Sequence, residues 1–248
     1  SARNSEIMPY SLILATLFSY KLFSGIPRSR VDTLYWTVFS GLFLFTALRN
    51  KVGCDWGNYQ RTFYFNWEMT IGEALTRGEP VFWLVVYMLH DLGLQYHWLN
   101  IVTTAVFFFG LFKFSKKQND PLGFLILAFP ILIVNMPMSG IRQAAAIGVI
   151  MLAYCAYLEN RPFRFVALVA IAAGFHISAI TFFTLAPFSF FQKRKMLGLA
   201  VALVLCTQVA VLVSSSDAAE LANERYVGTG IEAFGAIYRV GLVVATGF

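Results

Sequence analysis

The sequence predicts an all-α polytopic membrane protein, and three observations carry that prediction. Hydrophobic residues fill 58% of the 248 positions and charged residues 13%, against roughly 25% charge in an ordinary soluble domain. Apolar runs recur along the chain at lengths near the ~20 helical residues that cross a hydrocarbon core of ~30 Å. The basic residues sit in short clusters between those runs and make no continuous patch. The net charge of +6 therefore reads as membrane topology, and no nucleic-acid partner is expected.

Taken in order, the polar stretch Ser1 to Glu6 precedes an apolar segment, Ile7–Phe23. No small-residue cleavage site follows it, and Lys21, Arg28 and Arg30 do, so it is expected to be a retained helix, not a signal peptide. Further candidate spans are Val31–Leu48, Trp98–Phe114, Leu122–Met136, Ile141–Leu158, Phe163–Phe175, Ile177–Phe191, Met196–Val213 and Ile231–Phe248. The clusters Lys21/Arg28/Arg30, Lys113/Lys116/Lys117, Arg161/Arg164 and Lys193/Arg194/Lys195 are assigned to the cytoplasm. Helices between them must then cross in pairs. Between the first two clusters this works only if Pro80–Leu94, interrupted by His90 and Asp91, does not span. That run is expected to be an interfacial or re-entrant helix on the outer face.

The expected architecture is one transmembrane domain over 1–248 with about nine spans. Outer-face segments lie at 49–95 (a loop of about 30 residues, then the short helix) and at 214–230. The chain stops at Phe248 inside an apolar run, so the natural protein is expected to continue. Cys54, Cys155 and Cys206 have no metal or disulfide spacing and read as small packing residues.

Against this background the polar residues stand out by position. Arg49, Asp55, Glu79, Arg142, His176 and Arg225 all fall on the outer face under the assigned topology. Arg49 closes a helix, where a cation also suits the dipole or snorkels to the interface. Asp55 lies between Gly53 and Gly57, which either presents its carboxylate from a turn or uses it in an Asx-turn. Asn135-Met-Pro-Met-Ser-Gly-Ile-Arg142-Gln143 breaks one helix and opens another. An arginine in a first helical turn opposes the dipole. A bound phosphate relieves the conflict, and so does an ion pair with Asp55 or Glu79. His176, at a tight turn, either bonds a freed carbonyl or serves as an acid, base or phosphate donor. Arg225 follows the acidic pair Glu220 and Glu224. Arg239, about halfway down the last run, needs a partner or a polar cavity. Trp83, like Trp36 and Trp98, reads as an interfacial anchor.

The series Arg49-x-x-x-Gly53-x-Asp55-x-x-x-Tyr59, then Glu79-Pro80, then Gly140-Ile-Arg142-Gln143, then Phe175-His176-x-Ser178 resembles the EpsG family of polysaccharide polymerases, related to Wzy-type polymerases. The resemblance runs in order over roughly residues 8 to 191 and is weaker beyond. It implies joining of undecaprenyl-pyrophosphate-linked oligosaccharide units at the outer face of a bacterial inner membrane, on a GT-C-like bundle. Read together with the charges, it assigns the pyrophosphate to Arg142 and Arg49, helped by His176, with Gln143 orienting. Asp55 is expected to be the general base and Glu79 the second choice. Tyr59, Asn135, Arg225 and Arg239 complete the expected substrate contacts. The expected partners are the lipid-linked donor and acceptor, membrane lipids, and a chain-length regulator or other assembly proteins. No cofactor and no metal are expected, so turnover should persist in EDTA. A flippase for the same glycan would place charges on both faces or at mid-bilayer. An intramembrane serine protease built on Ser139 and His176 leaves the arginines unexplained. A ligase shares the chemistry and differs only in its acceptor.

Overall fold

The computed structural model describes residues 19, 28–53, 55–191 and 194–214, and it is 82% helix. Among the described residues the chain runs through α1 (Arg28–Ala47), α2 (Trp56–Phe65), α3 (Ile71–Thr76), α4 (Pro80–Asp91), α5 (Tyr96–Ser115), α6 (Pro121–Ala128) and a π-helical stretch (Phe129–Asn135). It continues as α7 (Met136–Ser139), α8 (Ile141–Leu158), α9 (Pro162–Phe175), a 3-10 stretch (Ile177–Leu185), α10 (Ala186–Phe190) and α11 (Lys195–Ser214).

The centre of the bundle is α8, and its sequence explains why. Ala144, Ala145, Ala146, Gly148, Ala153 and Ala156 are all buried, so neighbouring helices approach its backbone on more than one side. Gly110 of α5 faces Gly148 of α8: a Cβ on Gly110 would enter the Gly148 backbone, and one on Gly148 would meet the backbone of Val106 and Phe107. On another side, Ala145, Ala146 and Val149 share a core with Ala172 and Phe175 of α9 and with Phe82, Val86 and Leu89 of α4. A second core joins Tyr35 and Leu42 of α1, Phe107, Phe108 and Leu111 of α5, and Leu125, Phe129 and Ile133.

Two of the helices, Tyr96–Ser115 and Ile141–Leu158, are long and apolar enough to cross a membrane, and the bent 121–139 pair makes a third if it is one span. This is coarser than the expected nine. The outer members of that set, Ile7–Phe23 and Ile231–Phe248, lie outside the described residues. Several others are apolar but short, among them Pro162–Phe175. The bend in the third candidate has a local cause, because Pro130 sits in the middle of the apolar run and supplies no amide donor. α4, at ~18 Å by helical rise, is well short of a hydrocarbon core.

The bundle has two chemically distinct ends. At one, Lys116 pairs with Asp32 at 3.3 Å, Lys117 with Glu159 at 2.8 Å and Arg161 with Glu159 at 3.5 Å. Tyr35 and Ser115 share a buried 2.7 Å hydrogen bond below them. The other end carries α2, α3 and α4. The expected long loop there is mostly helical: α3 opens on a capping box between Thr70 and Glu73. α2 buries Trp56 and Phe63, which lie against Tyr96 with ring centroids 5.3 and 6.0 Å away, and leaves Tyr64 and Phe65 exposed.

The Gly110–Gly148 contact leaves no room for a side chain on either residue. Backbone stands on both sides, so no flexible side chain can yield. Gly110→Val and Gly148→Leu should each cost at least ~1–3 kcal/mol, the usual range for overpacking. Size-exclusion profiles and melting curves in detergent should show loss of the monodisperse protein for both, while Gly41→Ala, in open space, behaves as wild type.

Candidate functional site

One carboxylate holds three elements together. Glu79 precedes Pro80 at the start of α4 and adopts a left-handed backbone, φ 65° and ψ 55°. For a residue with a Cβ that conformation costs roughly 1–2 kcal/mol, and the bonds at its side chain over-determine it. Oε2 accepts from Arg142 Nη1 at 2.6 Å, in the first turn of α8. Oε1 accepts from His176 Nδ1 at 2.5 Å and from the Ile177 backbone N–H at 3.2 Å, where α9 gives way to the 3-10 stretch. His176 is extended and stops α9. Gly174 lets this junction reach α4, since a Cβ there would meet the side chain of Val81.

A carboxylate only accepts, so Nδ1 of His176 carries the shared hydrogen. In the neutral ring Nε2 then accepts from the Gln143 amide, 3.3 Å away. Glu79 is buried, while Arg142 and His176 keep part of their side chains exposed. Burial pushes the Glu79 carboxyl up. The hydrogen bond from His176, the Arg142 charge and the Ile177 N–H outweigh burial and hold it below the usual range.

Arg142 faces a cleft of about 260 Å³ lined by Asp55, Asn58, Tyr59, Thr62, Phe82, Trp83 and Arg142 itself. Small-molecule pockets typically run from about 300 to 1,000 Å³. The guanidinium carbon lies 5.5 Å from the ring centroids of both Tyr59 and Phe82, so its flat face rests on aromatic surface. Asp55 is the N-cap residue of α2 but makes no side-chain capping hydrogen bond. Its exposed carboxylate is left to the cleft.

The expected residues therefore separate. Asp55, Tyr59 and Arg142 line the cleft, and Glu79, His176 and Gln143 form the network behind Arg142. Of the open readings for Arg142, the ion pair with Glu79 is present. Arg49 is placed differently from its expected pyrophosphate role. It is buried, and its Nη1 donates to the carbonyls of Val52, at 2.6 Å, and Met138, while Nη2 donates to Asn100 Oδ1 at 3.3 Å. Gly53 passes this knot at φ +104°, where a Cβ would strike the Met138 carbonyl. Asn135 is exposed in the π-helical stretch and does not line the cleft. Arg225 and Arg239 lie outside the described residues. His90, given no role by the sequence, packs between Phe63 and Trp67 with centroids 4.3 and 4.7 Å away.

Sequence reasoning missed Asn58, Thr62, Phe82 and Trp83. Trp83 lines the cleft instead of serving only as an interfacial anchor. A signal existed for the first two: Asp55, Asn58, Tyr59 and Thr62 fall at i, i+3, i+4 and i+7, one face of a helix.

Arg49→Ala should strand buried carbonyls at ~1–3 kcal/mol each and lower the melting temperature in detergent. Arg49→Lys should not restore it, because an ammonium cannot reproduce the fork. For Glu79 the folded-state pKa is depressed, so its stabilisation is present above the ordinary value of about 4.3. It is lost as pH falls through the lower folded-state value. The melting-temperature gap between wild type and Glu79→Gln should close on acidification through that range; a gap unchanged down to full protonation would contradict the depressed pKa.

None of the curated proteins and none of the solved structures compared matches the chain. The EpsG family model matches residues 32–230, which spans every described element that contributes to the cleft and to the Glu79 network. The chain belongs to the EpsG family, a family of Wzy-type polysaccharide polymerase-like membrane proteins.

Proposed function

We propose that this protein polymerises undecaprenyl-pyrophosphate-linked oligosaccharide repeat units at the outer face of a bacterial inner membrane. The observation that carries the reading is that Asp55 and Arg142, a free carboxylate and an anchored guanidinium, line one cleft on an apolar bundle. The described helices, with the apolar runs at both termini, are read as a GT-C-like assembly of about nine spans whose cleft end faces outward.

Arg142 offers its remaining donors, and the first turn of α8 its backbone N–H groups, to the donor's pyrophosphate. Glu79 neutralises part of the charge Arg142 brings to the helix N-terminus and fixes its direction. His176, oriented by Glu79 and by Gln143, adds a polar edge beside the leaving group. Asp55 removes the proton from the acceptor hydroxyl. The hydroxyl oxygen attacks the anomeric carbon, the bond from that carbon to the pyrophosphate oxygen breaks, and undecaprenyl pyrophosphate departs with the electron pair. The proton resides on Asp55 and passes to water. Pyrophosphate is a good leaving group, so charge stabilisation carries most of the catalysis. Both donor and acceptor are lipid-linked glycans, and a chain-length regulator is the natural protein partner.

The test is turnover of the purified protein in lipid with an undecaprenyl-pyrophosphate-linked repeat unit. A ladder of longer glycans is expected from wild type and none from Arg142→Ala. Asp55→Ala should lower kcat by about 10²–10⁴-fold; wild-type turnover in that variant would remove Asp55 as the base. Transfer to a non-glycan acceptor without a ladder would make the protein a ligase.

A further inference from the structure

We infer that the part of the cleft lined by Asn58, Thr62 and Trp83 is the subsite that reads the acceptor sugar. This rests on the polymerase reading and adds to it the residues that choose the sugar. Several helical threonines elsewhere in the chain spend their hydroxyls on the preceding turn: Thr103 donates to Leu99 O at 2.7 Å and Thr76 to Gly72 O at 3.0 Å. Thr62, in the middle of α2, has no such bond among the described residues, and neither does the Asn58 amide. With Asp55 they form a row of polar side chains on one face of α2, about 10 Å long by helical rise. All of them line the cleft.

The opposite wall is aromatic and braced. Trp83 of α4 lines the cleft, and the Arg77 guanidinium lies 4.6 Å from its ring centroid. Arg77 Nη1 donates to Asn66 Oδ1 at 2.7 Å, just past the end of α2. Asn66 is fixed in turn by donating its side-chain amide to Thr62 O at 2.7 Å. The chain Thr62 carbonyl, Asn66, Arg77, Trp83 ties the two walls to each other and sets the width of the cleft. A fixed aromatic ring facing a row of unsatisfied hydroxyl, amide and carboxylate groups suits a pyranose. One surface of that sugar is C–H and apolar, and its rim is hydroxyl groups. A lipid tail would leave the polar wall unpaired.

The position relative to the chemistry favours the acceptor. Arg142 and Asp55 mark the reacting end, and Asn58 and Thr62 lie progressively further along α2. A sugar whose hydroxyl is at Asp55 therefore lays its ring along Asn58 and Thr62. A site built to bond a hydroxyl rejects an analogue that lacks it far better than an apolar pocket sorts by size. Thr62 and Asn58 are thus specificity-determining residues.

The test uses the full chain in nanodiscs and a panel of methyl glycosides of common hexoses, deoxyhexoses and N-acetylhexosamines, with saturation-transfer NMR as the readout. At least one glycoside should bind wild type, and its signal should fall at least several-fold in Thr62→Val, Asn58→Ala and Trp83→Ala. Thr62→Val is nearly isosteric at an exposed position, so it keeps the test valid if Trp83→Ala does not fold. In the polymerisation assay Thr62→Val should raise KM for the acceptor more than it lowers kcat. No binding by any glycoside, or equal binding in wild type and Thr62→Val, overturns the subsite. A glycan ladder with unchanged acceptor KM in Thr62→Val also overturns the subsite and leaves the polymerase reading intact. Glycoside binding lost in Thr62→Val, with no ladder from wild type, overturns the polymerase reading and leaves a sugar site.

Discussion

The arrangement of the site end depends on one buried carboxylate. Glu79 meets Arg142 with one oxygen and His176 with the other, and its own backbone is left-handed. Breaking a buried pair by removing one partner generally costs about 3–5 kcal/mol, because the other charge stays behind, although the pair itself adds little net stability. What Glu79 supplies is geometry. It fixes where α4 begins, where α8 begins and where α9 ends, and it aims Arg142 at the cleft. Each bond resolves a local conflict: a cation at a positive helix terminus, a histidine at a helix stop, an unpaired N–H after it.

This organisation leaves the two carboxylates with different freedom. Glu79 accepts three hydrogen bonds and is held ionised by them, so its proton affinity is low and its lone pairs are largely committed. Asp55 makes no cap bond and borders open space. In the proposed reaction the base must be able to receive a proton, which suits the second carboxylate. Under the same proposal the first positions Arg142 and His176.

Much of the fold could be read from the chain because apolar runs and their punctuation are local. The run Ile141–Leu158 is a helix with those bounds, and Phe163–Phe175 differs from its helix by one residue. The residues of the Glu79 network were legible because charge is rare in such a sequence and each instance needs a reason. Two things were not legible. α2 was hidden because its aromatic residues do not keep to one face: Trp56 and Phe63 are buried, while Tyr64 and Phe65 beside them are exposed. The division between Arg49 and Arg142 was hidden because both are arginines beside a helix terminus, and only their partners in space differ.

Those partners follow from where backbone is left unsatisfied. The break between α7 and α8 frees the Met138 carbonyl, and the turn after α1 frees that of Val52. A buried guanidinium is the side chain best able to serve both, through a fork that also reaches Asn100. Arg142, two residues into α8, takes a carboxylate instead. Arg77, at the rim, takes an amide oxygen and a ring. The same residue type thus does three jobs: Arg49 closes the scaffold, Arg142 presents charge to the cleft, and Arg77 braces Trp83. A substitution that keeps the charge is tolerable only where charge is the function, so lysine should be least harmful at Arg142 and most harmful at Arg49.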